Sequence, residues 1–207
     1  MYARSTTVRG DPAAVDDGIA YVREAVWPML RGMSGCVGTS MLADRDAGRC
    51  IVTAAWATEE AMRASAVPVG ELRDRAAEVM RAEAVHIAEW DIAVLHRLHP
   101  TGEGSCARVV WTESDPARLE QVVDAVGMSL LPRLADLPGF CSLSLLVDRA
   151  TGRAAATTTY ADRASLQQSR DIGAALHADV AVALGMRTIE VADFDLAMAH
   201  LRVPELA

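Results

Sequence analysis

An α+β fold built twice within one chain is what the sequence predicts. Three observations carry it: an internal repeat, helix-start signals at matching places, and strands that are apolar on both faces. The second half repeats the first at a fixed offset, with Asp115-Pro116-Ala117 lying 104 residues after Asp11-Pro12-Ala13. Pro28 recurs as Pro132, Gly35 as Gly139, and Asp44-Arg45 with Gly48-Arg49 as Asp148-Arg149 with Gly152-Arg153. Ser65 then pairs with Ser169, Leu72 with Leu176, Asp91 with Asp195 and His96 with His200, so the register holds through the loops. Self-similarity of this kind marks a duplicated structural unit.

Taken in order, the β-branched segment Tyr2 to Arg9 reads as a first strand. Asp11-Pro12 follows as an N-cap and a first-turn proline, and Asp115-Pro116 repeats the signal. Val15, Ile19, Val22, Val26 and Leu30 then fall three and four apart, giving one apolar helix face; Leu119, Val123, Val126, Leu130 and Leu134 do the same. Pro28 and Pro132 remove a backbone donor late in each helix and predict a kink there. Two strands, Cys36 to Ala43 and Cys50 to Ala57, flank a turn whose Gly48 supplies a left-handed residue, with Leu143 to Val147 and Ala154 to Tyr160 as their counterparts. Thr58 and Asp162 are aligned N-caps for a second helix, which Pro68 and Gly70 are expected to break in the first copy. Val85 to Leu95 and Ile189 to Ala199 close the two copies as fourth strands.

Each copy is therefore a ferredoxin-like βαββαβ unit, an antiparallel sheet with both helices on one face. Strands such as Ile51 to Ala57 are apolar on both alternating sets, which implies cover on the second face as well. Packing of sheet on sheet between the copies, as an intramolecular pseudo-dimer, would provide it. The expected organisation is an N-terminal domain over 1–98, a linker over 99–105 and a C-terminal domain over 106–207.

Composition narrows the function classes. The chain carries 28 Asp+Glu against 20 Lys+Arg, a net charge of −8, and its arginines stand singly, which disfavours a nucleic-acid partner. Every one of those 20 cations is arginine and no asparagine occurs, a bias that fits a GC-rich genome. The sequence has no apolar run of membrane-spanning length and no basic-then-apolar leader at Met1 to Gly10, so the expectation is a cytoplasmic protein without a membrane partner. Cys36, Cys50, Cys106 and Cys141 do not match between copies and lack CxxC spacing, which points to small buried hydrophobes, with no disulfide framework or metal site. Phosphate-loop, GxSxG and metal-spaced clusters are lacking too, and no catalytic residue can be assigned.

The tandem βαββαβ, Pro138-Gly139-Phe140 leading into a strand, the Asp-Arg-x-x-Gly-Arg hairpin and Trp56-Ala57-Thr58-Glu59-Glu60-Ala61 at a strand-to-helix junction resemble the dimeric α+β barrel superfamily. Within it the similarity is to antibiotic-biosynthesis-monooxygenase-like domains. The resemblance implies a pocket between helices and sheet in each copy, an apolar or aromatic small-molecule ligand, and a cofactor-independent monooxygenase acting on a quinone-like substrate. In such oxygenases a strand-1 asparagine and a helix-2 tryptophan serve the site, and haem-degrading members add a helix-2 histidine. Here Ser65 and Ser169 take the tryptophan position, and His177, with Arg73 opposite it in the first copy, takes that of the histidine. Haem is thus an alternative cofactor, and a non-catalytic ligand-binding or scaffold protein an alternative function.

The candidate ligand-binding residues are Tyr160, His177, Trp56 and His86. Trp56 and Tyr160 align at the end of a strand, where each can pack or stack on a ligand. His177 fits a helix-edge histidine or an iron ligand, and His86 a strand-end residue or a proton shuttle. Because the copies differ at Arg73/His177 and Pro68/Ile172, unequal sites are expected, with the C-terminal one favoured. A further homodimer beyond the internal pseudo-dimer stays open.

Overall fold

The structure is a computed structural model that describes residues 1–201. β1 (Tyr2–Arg9) leads into a turn of 3-10 helix, Pro12–Ala14, and then α1 (Val15–Tyr21). Asp11 caps it as expected, its carboxylate accepting from the Ala13 amide at 2.9 Å, and Asp115 repeats this on Ala117 at 2.9 Å. The expected kink takes the form of a π-helical turn, Val22–Val26, that hands over to α2 (Trp27–Leu30) with Pro28 in its first turn. A widened turn accommodates the missing donor, and such turns recur at functional sites. The helix buries the face its spacing predicted, from Val15 at 1 % exposure to Leu30 at 1 %; each such side chain is worth roughly 1.5–3 kcal/mol.

β2 (Cys36–Asp44) and β3 (Arg49–Trp56) form the hairpin, with Gly48 at φ +60 where a Cβ would run into the Gly10 carbonyl. Thr58 caps α3 (Glu59–Ala64) and α4 (Ala66–Val79) follows. The helix is interrupted at Ser65, and not by Pro68 and Gly70. Pro68 falls in the first turn of α4, where its missing amide costs nothing, and the proline-free second copy breaks at the matching Ser169. β4 runs over Ala84–Arg97, longer than expected.

The second copy comprises β5 (Cys106–Glu113), α5 (Leu119–Ala125), a π-helical turn Val126–Leu130, α6 (Leu131–Ala135), β6 (Phe140–Asp148), β7 (Arg153–Tyr160), α7 (Arg163–Gln168), α8 (Arg170–Leu184) and β8 (Arg187–Leu201). The β1/β3 register that sets Tyr2 opposite Trp56 recurs as Cys106 opposite Tyr160 in β5/β7. The fold class is α+β, two tandem ferredoxin-like βαββαβ copies with the connectivity of a dimeric α+β barrel.

Compact units and sequence copies do not coincide, because the two long strands are shared out. One unit holds Met1–Trp90 with β8 from Asp195 on; the other holds Asp91–Phe194. In the first the strand order is β4-β1-β3-β2-β8, with β8 pairing β2 so that Thr39 faces His200. The second has β8-β5-β7-β6-β4, with His96 of β4 opposite Leu143 of β6. The matching histidines are structural: His200 stacks on Trp27 at 4.8 Å and 12°, and His96 lies 6.5 Å from the Phe140 ring. The unit cores centre on Trp56, Leu30 and Met41 in one case and on Phe140, Leu130 and Leu143 in the other. Cys50, Cys106 and Cys141 are buried, Cys36 is half-buried, and among the described residues no disulfide joins them. Among the described residues no helix is long and apolar enough to cross a membrane.

Candidate functional site

In the first unit the π-helical turn and α4 lie against β1 and β3, and a cavity remains between them. It comprises about 560 Å³ of non-atom space including its solvent-open part, of which about 50 Å³ can hold the centre of a water molecule. Val22, Val26 and Leu30 wall it from the first helix, Val52 and Trp56 from β3, and Leu72 and Ala76 from α4. The strand period of two sends Arg4, Thr6 and Val8 of β1 to the same side. Its polar groups are few.

Arg4 is 7 % exposed and fully engaged. Its Nε and Nη2 donate to Glu89 Oε1 at 3.0 and 2.6 Å, and its Nη1 donates to Ser65 Oγ at 2.8 Å. Ser65 in turn donates to the Met62 carbonyl at 2.6 Å, so the serine at the helix break braces the arginine against the cavity wall. Arg73 differs. Burial, and then the positive charge of Arg4, push its guanidinium below the usual arginine range, against a smaller opposing effect of Asp74. Its Nε is buried with no hydrogen-bond partner, as is Nε1 of Trp56, which is 1 % exposed.

The second unit repeats the frame and alters the lining. Arg108, at the position of Arg4, donates from Nε and Nη2 to Asp193 at 2.8 and 2.9 Å, and Arg170 adds a bond to the same carboxylate at 3.0 Å. Burial alone would raise the Asp193 carboxyl, but these hydrogen bonds and charges hold it below the ordinary carboxylate range. The cavity here is smaller, about 370 Å³ with about 20 Å³ open to a water centre. His177, Val180 and Met186 line it where the first copy has Arg73, Ala76 and Ala82. Burial, then the charge of Arg108, lower the His177 pKa to about 4, so its imidazole is neutral near pH 7.

Of the four candidates read from the sequence, Trp56 lines the larger cavity and His177 the smaller. Tyr160 is a core residue at 3 % exposure, its hydroxyl pKa raised by burial, and lines neither of the two. His86 is exposed on the first part of β4 and lines neither. No two of the four line the same one of these two cavities, and the larger of the two lies in the N-terminal copy, whereas the sequence favoured the C-terminal one. The acidic residues Glu89 and Asp91 on β4, matched by Asp193 and Asp195 on β8, all hold arginines. Glu89 and Asp193 hold Arg4 and Arg108, while Asp195 binds Arg45 at 2.8 Å and Asp91 binds Arg149 at 3.2 Å. Sequence reasoning missed Arg4 and Arg108, although the 104-residue offset that pairs Glu89 with Asp193 also pairs them.

Haem does not fit this arrangement. The cavity with the histidine is the one with about 20 Å³ open, far too tight for a tetrapyrrole, and in the larger one the matching side chain is Arg73, which cannot ligate iron. Among the described residues no group of three or more His, Cys, Asp or Glu could hold a metal ion.

Comparison with known proteins follows the same lines. The family model for antibiotic biosynthesis monooxygenase matches residues 1–66, a segment holding Arg4, Trp56 and Ser65. The chain is 48% identical over 207 residues to the uncharacterized protein Rv2558 of Mycobacterium tuberculosis, covering 100% of this chain and 87% of that protein. Among solved structures, a Lactobacillus acidophilus protein provisionally named a monooxygenase superposes with a TM-score of 0.70 at 11% identity, covering 97% of this chain and 96% of that one. An anthrone oxidase-like protein gives 0.67 at 12% identity, over 100% and 95% of the two chains. At such identities these structures speak for the fold alone.

Proposed function

The chain belongs to one family with the mycobacterial protein and carries an antibiotic biosynthesis monooxygenase-like domain, and from that premise we propose that its N-terminal cavity binds an aromatic, quinone-like small molecule and oxidises it with dioxygen without a cofactor. The observation that supports this most is the apolar cavity of the first unit with a guanidinium at its lining, Arg73, that has no ion-pair partner among the described residues. An anthrone or quinol carries an acidic C–H or O–H flanked by aromatic rings. Loss of its proton to solvent gives a carbanion or phenolate, and a nearby fixed positive charge stabilises that anion in surroundings of low dielectric. The anion reduces dioxygen; an activated CH2 becomes C=O as one O2 is consumed and one water released. The protein's share is to exclude bulk water through its valine and leucine walls and to hold the developing charge.

A second reading, ligand binding without turnover, is favoured by one feature: no carboxylate or imidazole lines this cavity, so the protein offers no general base there. One experiment separates the two. Oxygen uptake is followed with dithranol, an anthrone, in the presence of the intact chain, with Val69→Trp, which fills the cavity from α4, as the control. Accelerated uptake with one O2 per product, lost in Val69→Trp, is the expected result. Uptake no faster than with heat-denatured protein overturns the oxygenase reading.

A further inference from the structure

The N-terminal cavity contains donors without acceptors. Arg4 is already satisfied by Glu89 and Ser65, and Ser65 by Arg4 and the Met62 carbonyl. What remains is the guanidinium of Arg73, with its Nε buried and unpartnered, and the buried, unpartnered Nε1 of Trp56. Neither side chain has any acceptor atom, so what pairs with these two donors must bring acceptors of its own. Arg73 is half-buried with no ion-pair partner among the described residues, so its guanidinium is partly desolvated without compensation, and a hydrogen-bonded anion would supply that compensation. The remaining walls are aliphatic apart from Thr6 and the Trp56 ring, so the rest of the ligand must be apolar, with an aromatic body suited to that indole.

We propose that the N-terminal cavity selects its ligand by charge, taking an aromatic monoanion whose enolate, phenolate or carboxylate oxygen pairs with Arg73 and accepts from Trp56. The inference rests on the reading that this cavity is a ligand site and does not need the ligand to be oxidised. It also accounts for the divergence of the copies. At the position of Arg73 the C-terminal copy has His177, neutral near pH 7, and its nearby cation Arg108 is taken up by Asp193. The smaller cavity therefore has no unpaired positive charge to offer, and charge selection belongs to the N-terminal copy.

The test uses two probes of one shape: 2-hydroxy-1,4-naphthoquinone, ionised at neutral pH, and its uncharged 2-methoxy ether. Each is titrated calorimetrically into the intact chain and into Arg73→Met, Arg73→Lys and Trp56→Phe. The anion is expected to bind at least tenfold tighter than the ether to the native protein. That preference should vanish in Arg73→Met, survive in part in Arg73→Lys, which keeps the charge and loses the planar fork, and weaken severalfold in Trp56→Phe. Circular dichroism of each variant establishes that it is folded before titration. Equal affinities for the two probes in native protein overturn charge selection and leave the cavity reading in place. An anion preference undiminished in folded Arg73→Met places the anion elsewhere and overturns the assignment of Arg73, as does binding of neither probe, which sinks the cavity reading with it.

Discussion

The two copies share a frame and differ in what fills it. Both place an arginine on the first strand, pair it with an acid 85 residues later on the fourth strand, and interrupt the second helix at a buried serine. Both set a π-helical turn against the cavity, Val22 and Val26 in one and Val126 and Leu130 in the other. Inside this common frame the N-terminal copy keeps about 50 Å³ open and an unpaired Arg73, whereas the C-terminal copy sets Val180, Met186 and a neutral His177 into the equivalent space. The frame is what the fold requires of both copies; the lining is free to diverge, and that divergence separates a roomier cavity with an unpaired guanidinium from a tighter one. Duplication makes this possible, since one copy can be packed for stability while the other retains a hole and a costly charge.

The buried arginine–acid pairs offer the largest break in that comparison. Asp193 is 17% exposed at its side chain and Glu89 47%, so loss of the arginine strands a buried carboxylate in one copy and a half-hydrated one in the other. Breaking a buried pair costs about 3–5 kcal/mol and a surface pair at most about 1 kcal/mol. Arg108→Met is expected to lose about 3 kcal/mol, the lower end because Arg170 still holds Asp193 at 3.0 Å. Arg4→Met is expected to lose about 1 kcal/mol, with Glu89 turning to water. Urea unfolding of both variants measures the difference, and equal losses would show that burial of the acid does not set it.

The frame was legible in the sequence because repetition reveals it. Asp11-Pro12, Gly48 and Thr58 each carry a local physical demand, a cap, a left-handed turn or a second cap, and each recurs at the same offset and acts as expected. Less was readable where the outcome depended on tertiary neighbours. The break at Ser65 has no local helix-breaking residue, and Pro68 drew attention away from it although a first-turn proline breaks nothing. The pairing of β4 with β6 from Asp91 on, and its run past Leu95 to Arg97, are set by strand partners that periodicity does not contain. For the site, alignment of the copies singled out Trp56 and Tyr160 together, yet Trp56 lines a cavity and Tyr160 lies in the core, because strand ends at a pocket and strand ends in a core carry the same aromatic signal. Arg4 was missed since a lone arginine in a strand looks like surface until its acid partner, far along the chain, is brought beside it.

A second break uses pH. His177 titrates at about 4 in the folded protein, and an unfolded histidine at about 6.5. Between those values the unfolded chain binds the proton and the folded one does not, so stability is full above about pH 6.5 and is lost progressively as pH falls towards 4. The two pKa values imply a loss on the order of 2 kcal/mol once relaxation of the partly exposed ring is allowed for. Arg73, at the equivalent place, stays charged through this window and contributes no such slope. Unfolding midpoints in urea at pH 7 and pH 4.5 are expected to differ less in His177→Leu than in the native chain, and an unchanged difference would mean that other groups carry the acid sensitivity.

The smallest and sharpest test exchanges one lining residue between the copies. Ala76 on α4 faces the larger cavity and Val180 on α8 the smaller, at equivalent positions. Residual cavity volume costs about 24 cal/mol per Å³, so about 50 Å³ puts a ceiling of about 1 kcal/mol on what filling it can return. Ala76→Val occupies part of that space with two methyl groups and is expected to raise stability by less than about 1 kcal/mol while weakening binding of the naphthoquinone anion severalfold. Val180→Ala runs the exchange backwards, costing about 1 kcal/mol and opening room beside His177 without supplying a cation. Anion selectivity should therefore not appear in Val180→Ala however much space it opens. If it did, volume rather than Arg73 would set the difference between the copies. If instead Ala76→Val lost stability, the cavity would be held open by the rigid approach of α4 to the sheet and not by the small residue at its face.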